Sequence, residues 1–144
     1  MVKDDVLAPL PQTDLRVHLV WVPILDSDTQ AAAEEAMAAM PKNDPRIHQY
    51  WDTGGQLATA LGRVLGIPPR RGDAAASSPS SSGASGLAWD VYLLYPRQAR
   101  WPAAGAPPAP ARWMHQLNQV TSAQAPFLDG SELRRWVGAP LPGH

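Results

Sequence analysis

The sequence predicts an α/β fold in which a small mixed sheet is flanked by helices. Three features predict it. The strand-like run "VHLVWVPIL", residues 17 to 25, passes directly into an alanine-rich segment; "TGGQLATALGRVLGIP" carries the start and stop signals of a helix; and "AWDVYLLY" returns to strand character. A strand that feeds a helix opens an α/β unit.

Val17 to Leu25 places β-branched and aromatic residues on both alternating faces, with only His18 polar. That is the pattern of an interior strand covered on both sides. In "DSDTQAAAEEAMAAM", Ser27 or Asp28 is placed to cap a helix, with Glu34 and Glu35 following and Ala33, Ala36, Met37 and Met40 on one face. The prolines of "PKNDPRIHQYW" break that helix. Thr53 and Gln56 then have the spacing of a capping box, in which each side chain satisfies an orphan amide of the next helix. Leu57, Leu61, Val64 and Leu65 form its apolar stripe, Gly66 sits where a left-handed cap is wanted, and Pro68 forbids continuation.

Residues 69 to 86, "PRRGDAAASSPSSSGASG", hold almost nothing that could be buried, and are expected to form a flexible insertion. In "AWDVYLLY", Trp89, Val91, Leu93 and Tyr95 share one face, Tyr92 and Leu94 the other. "PRQ" turns the chain, so that "ARW" is expected to pair back as a short antiparallel edge strand. A proline-rich loop spans residues 102 to 111. Last, "DGSELRRWVG" predicts a closing helix with Asp129 or Ser131 as cap, Glu132 in the first turn, Leu133, Trp136 and Val137 on one face, and Gly138 as terminator. Residues 1 to 144 are expected to form a single domain, since 144 residues with 44% hydrophobic content suffice for one core.

Charge and composition narrow the function. The formal net charge is -1, from 12 basic and 13 acidic residues, which supplies no field for phosphate backbones or anionic lipid. Neither nucleic acid nor a membrane is an expected partner. Cysteine is absent, which removes thiolate ligands, iron-sulfur clusters, disulfides and cysteine nucleophiles together. The start "MVKDDVLAPLPQTD" has no apolar run of signal-peptide length, and "LVWVPIL" is far shorter than the roughly 20 residues of a membrane span. A soluble, cytoplasmic protein is expected, without a cofactor.

The pair Trp51-Asp52 recurs as Trp89-Asp90, but the first precedes a helix and the second opens a strand. Equivalent propeller blades are therefore excluded. His18, His48, His115 and His144, with Asp26, Asp28, Asp44 and Asp52, show no close ligand spacing in the sequence, and no metal site is expected. The serines lie mostly in the low-complexity insertion, with no Gly-x-Ser-x-Gly elbow, and Arg71-Gly72-Asp73 falls in that insertion by coincidence. Asp90 is the most informative polar residue, because a carboxylate beside Trp89 at the start of an apolar strand needs a partner or a raised pKa. His48, Tyr50, Trp51 or a backbone amide could supply that partner. Trp113, Met114 and His115 lie in the amphipathic "RWMHQL", either covering the core or walling a pocket. The candidate pocket is thus Trp51, Trp89, Asp90, Trp113, His115 and His48.

Taken in order, "RVHLVWVPIL", "DPRIHQYWD", "AWDVYLLYPRQARW" and "WMHQL" resemble a group of mostly uncharacterised bacterial thioredoxin-like proteins, over most of residues 14 to 117. The resemblance implies the latter part of a thioredoxin-like three-layer sandwich: a strand-helix unit, a β-hairpin and a closing helix. It also implies that the chain begins, at "DDVLAPLPQTD", in the tail of a helix that follows a Cys-x-x-Cys turn, leaving the sandwich incomplete. The chain itself has no Cys-x-x-Cys, and no proline immediately precedes "AWDVYLLY", where that fold keeps a cis-proline; Pro68 is the nearest. An incomplete sheet leaves apolar surface and an open edge, which a second copy would cover.

These features lead to a non-catalytic thioredoxin-like binding or interaction module, acting as a homodimer with paired sheets or exchanged elements. One alternative is the C-terminal part of a thiol-disulfide oxidoreductase whose Cys-x-x-Cys segment lies upstream. Another is a small enzyme using Asp90 with His48 or His115 as acid and base.

Overall fold

The computed structural model describes residues 2–10, 14–25, 27–38, 44–69 and 86–139. In chain order they form a π-helical segment (Val2–Leu7), β1 (Val17–Trp21), α1 (Gln30–Ala38), β2 (Ile47–Trp51), α2 (Gln56–Leu65), β3 (Val91–Leu94), β4 (Arg112–His115) and α3 (Gly130–Gly138). The α/β class holds, with small sheets and flanking helices. The strands form two two-stranded sheets instead of one mixed sheet, β1 with β2 in parallel and β3 with β4 antiparallel. Two compact units contain them, one reaching Gly55 and resuming at Asp129, the other running from Gln56 to Leu128. The arginine-glycine-aspartate tripeptide, nearly all of the serine-rich insertion, Asp26, Met40 and His144 fall outside the described residues.

In the first unit, β1 ends at Trp21 and does not continue to Leu25. Pro23 has no amide hydrogen to offer a ladder, so the apolar run outlasts the strand. Nor is β1 covered on both faces: Val17, Leu19 and Trp21 are half-buried while His18 and Val20 are exposed. Its partner β2 was not anticipated. Ile47, Gln49 and Trp51 point to the covered face, His48 and Tyr50 to the open one. The register sets His18 beside His48 and Trp21 beside Trp51.

Helix α1 is capped by neither Ser27 nor Asp28. The Thr29 hydroxyl accepts from the Ala32 amide at 3.1 Å, while the Asp28 carboxylate turns back to accept from Ile24 at 2.9 Å and Leu25 at 2.8 Å. Asp28 is consumed by its own turn. Ala33 is buried and Ala36 and Met37 are half-buried, which is the expected face. The π-helical segment packs on α3, with Val6, Leu7 and Leu133 buried. Arg46 ties it down, donating from its guanidinium to the carbonyls of Leu10 at 2.6 Å and Leu7 at 3.3 Å while holding Asp44 in an ion pair at 2.6 Å. At the start of α3 the Asp129 carboxylate accepts from the Glu132 amide at 2.8 Å, so Asp129 is the cap. Glu132 in turn receives Arg135 and the Trp136 indole.

In the second unit, α2 ends as expected. Gly66 has φ +65, the Gly66 amide reaches the Arg63 carbonyl at 3.2 Å and the Ile67 amide reaches Gly62 at 2.9 Å, which is the Schellman pattern. The Gln124 side-chain amide satisfies the remaining carbonyls of Leu65 and Gly66, at 2.8 and 3.0 Å. Its start differs from the expected capping box. Gly55, between Thr53 and Gln56, has φ +60, so residues 53 to 56 cannot follow the helical path that the box requires. Leu61, Leu65, Ile67, Ala88, Leu117 and Val120 form the core, with Leu57, Trp89, Val91, Leu93 and Trp113 packed against it. The face predicted for Trp89, Val91 and Leu93 is therefore the inner one.

The hairpin partner of β3 is "RWMH", not "ARW". After the turn at Pro96–Ala99, closed by the Ala99 amide on the Pro96 carbonyl at 2.9 Å, the chain runs through the proline-rich loop before it pairs back. Prolines 102, 107, 108 and 110 cannot donate to a ladder, which delays pairing until Arg112. No described peptide bond is cis, that before Pro68 included.

Candidate functional site

Four of the six residues singled out by sequence lie in the second unit. Trp89 and Trp113 are half-buried and packed on the core. Asp90 is not inside the strand. It stands just ahead of β3, exposed, with φ +49, a left-handed conformation that Asp tolerates better than most residues. Its carbonyl accepts from the Gln116 amide at 3.0 Å, and its carboxylate adds to burial in pushing the Tyr92 hydroxyl above its ordinary pKa. Tyr92 reaches the Gln116 side-chain oxygen at 3.4 Å.

His115, at the end of β4, is 2% exposed. The Leu117 amide donates to Nδ1 at 3.0 Å and Nε2 donates to the Ala125 carbonyl at 3.1 Å. One nitrogen accepts and the other donates, which fixes the tautomer and leaves neither free for a substrate. Trp113 and Phe127 close over the ring at 5.8 and 5.7 Å. The ring thus fastens the segment after β4, where His115 and Phe127 also form a backbone bridge.

His48 and Trp51 lie on β2 in the first unit, on opposite faces. Trp51 is half-buried, and its neighbour Trp21 donates its indole to Gln49 at 3.2 Å. On the open face, the His18 and His48 rings stack at 5.2 Å with 20° between planes, and Tyr50 lies 5.8 Å from His18 with its hydroxyl 3.3 Å from Nδ1. Burial first, then the charges of His48 and Arg16, pull the His18 imidazole below its ordinary pKa. Sequence distance hid this pair, since His18 and His48 are brought together only by the strand register. Comparisons with protein-family models, curated proteins and solved structures return no match.

Sequence reasoning also missed a depression of about 270 Å³ in the second unit, lined by Gln56, Leu57, Ala60, Trp101, Pro102, Gly105 and Pro107. None of the six predicted pocket residues lines it. Its wall is Trp101, 48% exposed and set against Tyr95 at 5.6 Å. Tyr95 donates to the Pro108 carbonyl at 3.1 Å, and burial pushes its hydroxyl up to about 12. The signal is "ARW" followed by prolines, a segment whose sequence also suits the expected edge strand. Among the described residues no group of three His, Cys, Asp or Glu side chains is gathered for a metal, and no helix is long and apolar enough to cross a membrane.

Proposed function

We propose that this chain is a non-catalytic, thioredoxin-like binding or interaction module, that it acts as a homodimer, and that the β1–β2 sheet is the surface through which it associates. The observation that carries this reading is the state of that sheet. Parallel sheets are normally covered on both faces, and two strands alone are marginal in water. Here a two-stranded parallel sheet presents Val20 at 37% and Tyr50 at 49% exposure, and no other described strand pairs with either of its edges. A partner strand or sheet would satisfy the edge groups and cover the apolar side chains in one step.

The chemistry of the remaining groups agrees. With no cysteine the chain has no thiol redox activity of its own. His115 is spent on two backbone bonds, which leaves Asp90 without it as an acid-base companion. The thioredoxin-like part of the proposal is supported by the order of elements, in which β1 and α1 form a strand-helix unit, β3 and β4 a hairpin, and α3 a closing helix. Cytoplasmic location belongs to the same proposal. The mass of the purified chain in solution tests it, because a module of this kind associates at micromolar concentration and loses that association when Val20 or Tyr50 is made acidic.

A further inference from the structure

We propose that His18 and His48 form a two-imidazole site for one borderline divalent transition-metal ion of the Zn²⁺, Ni²⁺ or Cu²⁺ class, with solvent completing its coordination. The two histidines are direct neighbours across the β1–β2 ladder, and both rings lie on the exposed face. Their centroids are 5.2 Å apart with nearly parallel planes. Metal-nitrogen bonds of about 2.0–2.1 Å need the two donor nitrogens to converge, and side chains standing on adjacent strands achieve this by rotation about their own bonds while the backbone stays in place.

Tyr50 offers the second ring nitrogen of His18 a partner. Ligating histidines characteristically give their second ring nitrogen to a hydrogen-bond partner, which fixes tautomer and ring direction. Nδ1 of His18 lies 3.3 Å from the Tyr50 hydroxyl, and in the tautomer in which Nδ1 carries the proton and donates, Nε2 keeps its lone pair for the ion. Imidazole nitrogen selects zinc, nickel and copper over magnesium or calcium, which prefer oxygen. Arg16 shares the exposed face of the β1 edge and opposes a cation there, but its charge is in solvent and therefore screened. The site needs only one chain, and because His18 and His48 share the open face with Val20 and Tyr50, a dimer closed over that face would compete with the ion.

Calorimetric titration of the full chain with Zn²⁺ and with Ni²⁺ tests the proposal, using His18→Ala, His48→Ala and the double variant. The expected result is one ion per chain, bound roughly tenfold or more weakly by either single variant and without a measurable isotherm in the double variant. Wild-type binding retained by the double variant overturns the proposal, as does the absence of binding to the unaltered chain at about millimolar metal. Substitutions on a two-stranded sheet can unfold it, so a second measurement uses the unaltered protein. Substoichiometric Cu²⁺ should broaden the imidazole resonances of His18 and His48 together before those of His115 and His144. Broadening that starts at His144 or at the N-terminus overturns the assignment. Light scattering with and without chelator accompanies the titration, and one ion on a monomer sustains the site while counting against the dimer.

Discussion

Gly62 of α2 and Gly86 meet backbone to backbone: a Cβ on Gly62 would stand 1.8 Å from the Gly86 carbonyl oxygen, and one on Gly86 would stand 2.2 Å from that of Pro68. The segment entering β3 is held there by the Gly86 amide on Ile67 at 2.7 Å and the Ala88 amide on Ala58 at 2.9 Å. Gly62→Ala should therefore destabilise the protein by about 2–3 kcal/mol, although alanine gains roughly 1 kcal/mol of helix propensity. Urea unfolding checks it. A neutral or stabilising result would mean that α2 and this segment are not in contact.

The fold was legible where its signals are local. Gly66 is legible because a C-cap glycine acts within one helical turn, and of the two caps the sequence offers for α3, Asp129 or Ser131, the carboxylate of Asp129 holds the place. Of the four residues that the alternation places on one face of β3, Trp89, Val91 and Leu93 pack against the core together. The errors came from partners distant in sequence. "IHQYW" puts glutamine inward and tyrosine outward, which disguises the alternation of β2, and "RWMH" lost to the nearer "ARW" because a hairpin was expected to close at the first opportunity. Of the candidate site, "RWMHQL" leaves His115 open between core cover and pocket wall, because its two backbone bonds depend on where residues 117 and 125 return.

His115→Phe tests that lock. Phenylalanine fills a similar volume but leaves the Leu117 amide and the Ala125 carbonyl without their buried partner, at about 1–3 kcal/mol each. Denaturation should show a total loss of roughly 2–6 kcal/mol. A loss under about 0.5 kcal/mol, the ordinary range of surface changes, would show that the ring is not structural.

Acid should loosen the N-terminal segment. Asp44 is held at about 2, below its ordinary 3.8, first by the hydrogen bonds from Arg46 and then by its charge. A depressed carboxylate contributes stability that is complete above pH 3.8 and disappears as pH falls through about 2. Hydrogen-exchange protection factors of the Leu7, Ala8 and Leu10 amides, which remove the intrinsic pH dependence of exchange, should fall across that window and stay flat from pH 5 to 8. Asp44→Asn should produce the loosened state at neutral pH, and exchange indifferent to both changes would contradict the anchor.

Asp129→Ala removes the cap of α3 and should cost about 1 kcal/mol, with Asp129→Ser recovering most of it. Thermal unfolding of the two variants distinguishes a lost cap from a merely altered charge, because serine restores the oxygen acceptor without the negative charge.

The proposal that the β1–β2 sheet is an association surface is tested most directly by light scattering coupled to size exclusion, at micromolar protein and with chelator present to remove any metal bridge. The account predicts a mass twice the 15.5 kDa of one chain, returning to 15.5 kDa in Val20→Asp and Tyr50→Asp. Unaltered protein that elutes at 15.5 kDa throughout would contradict it.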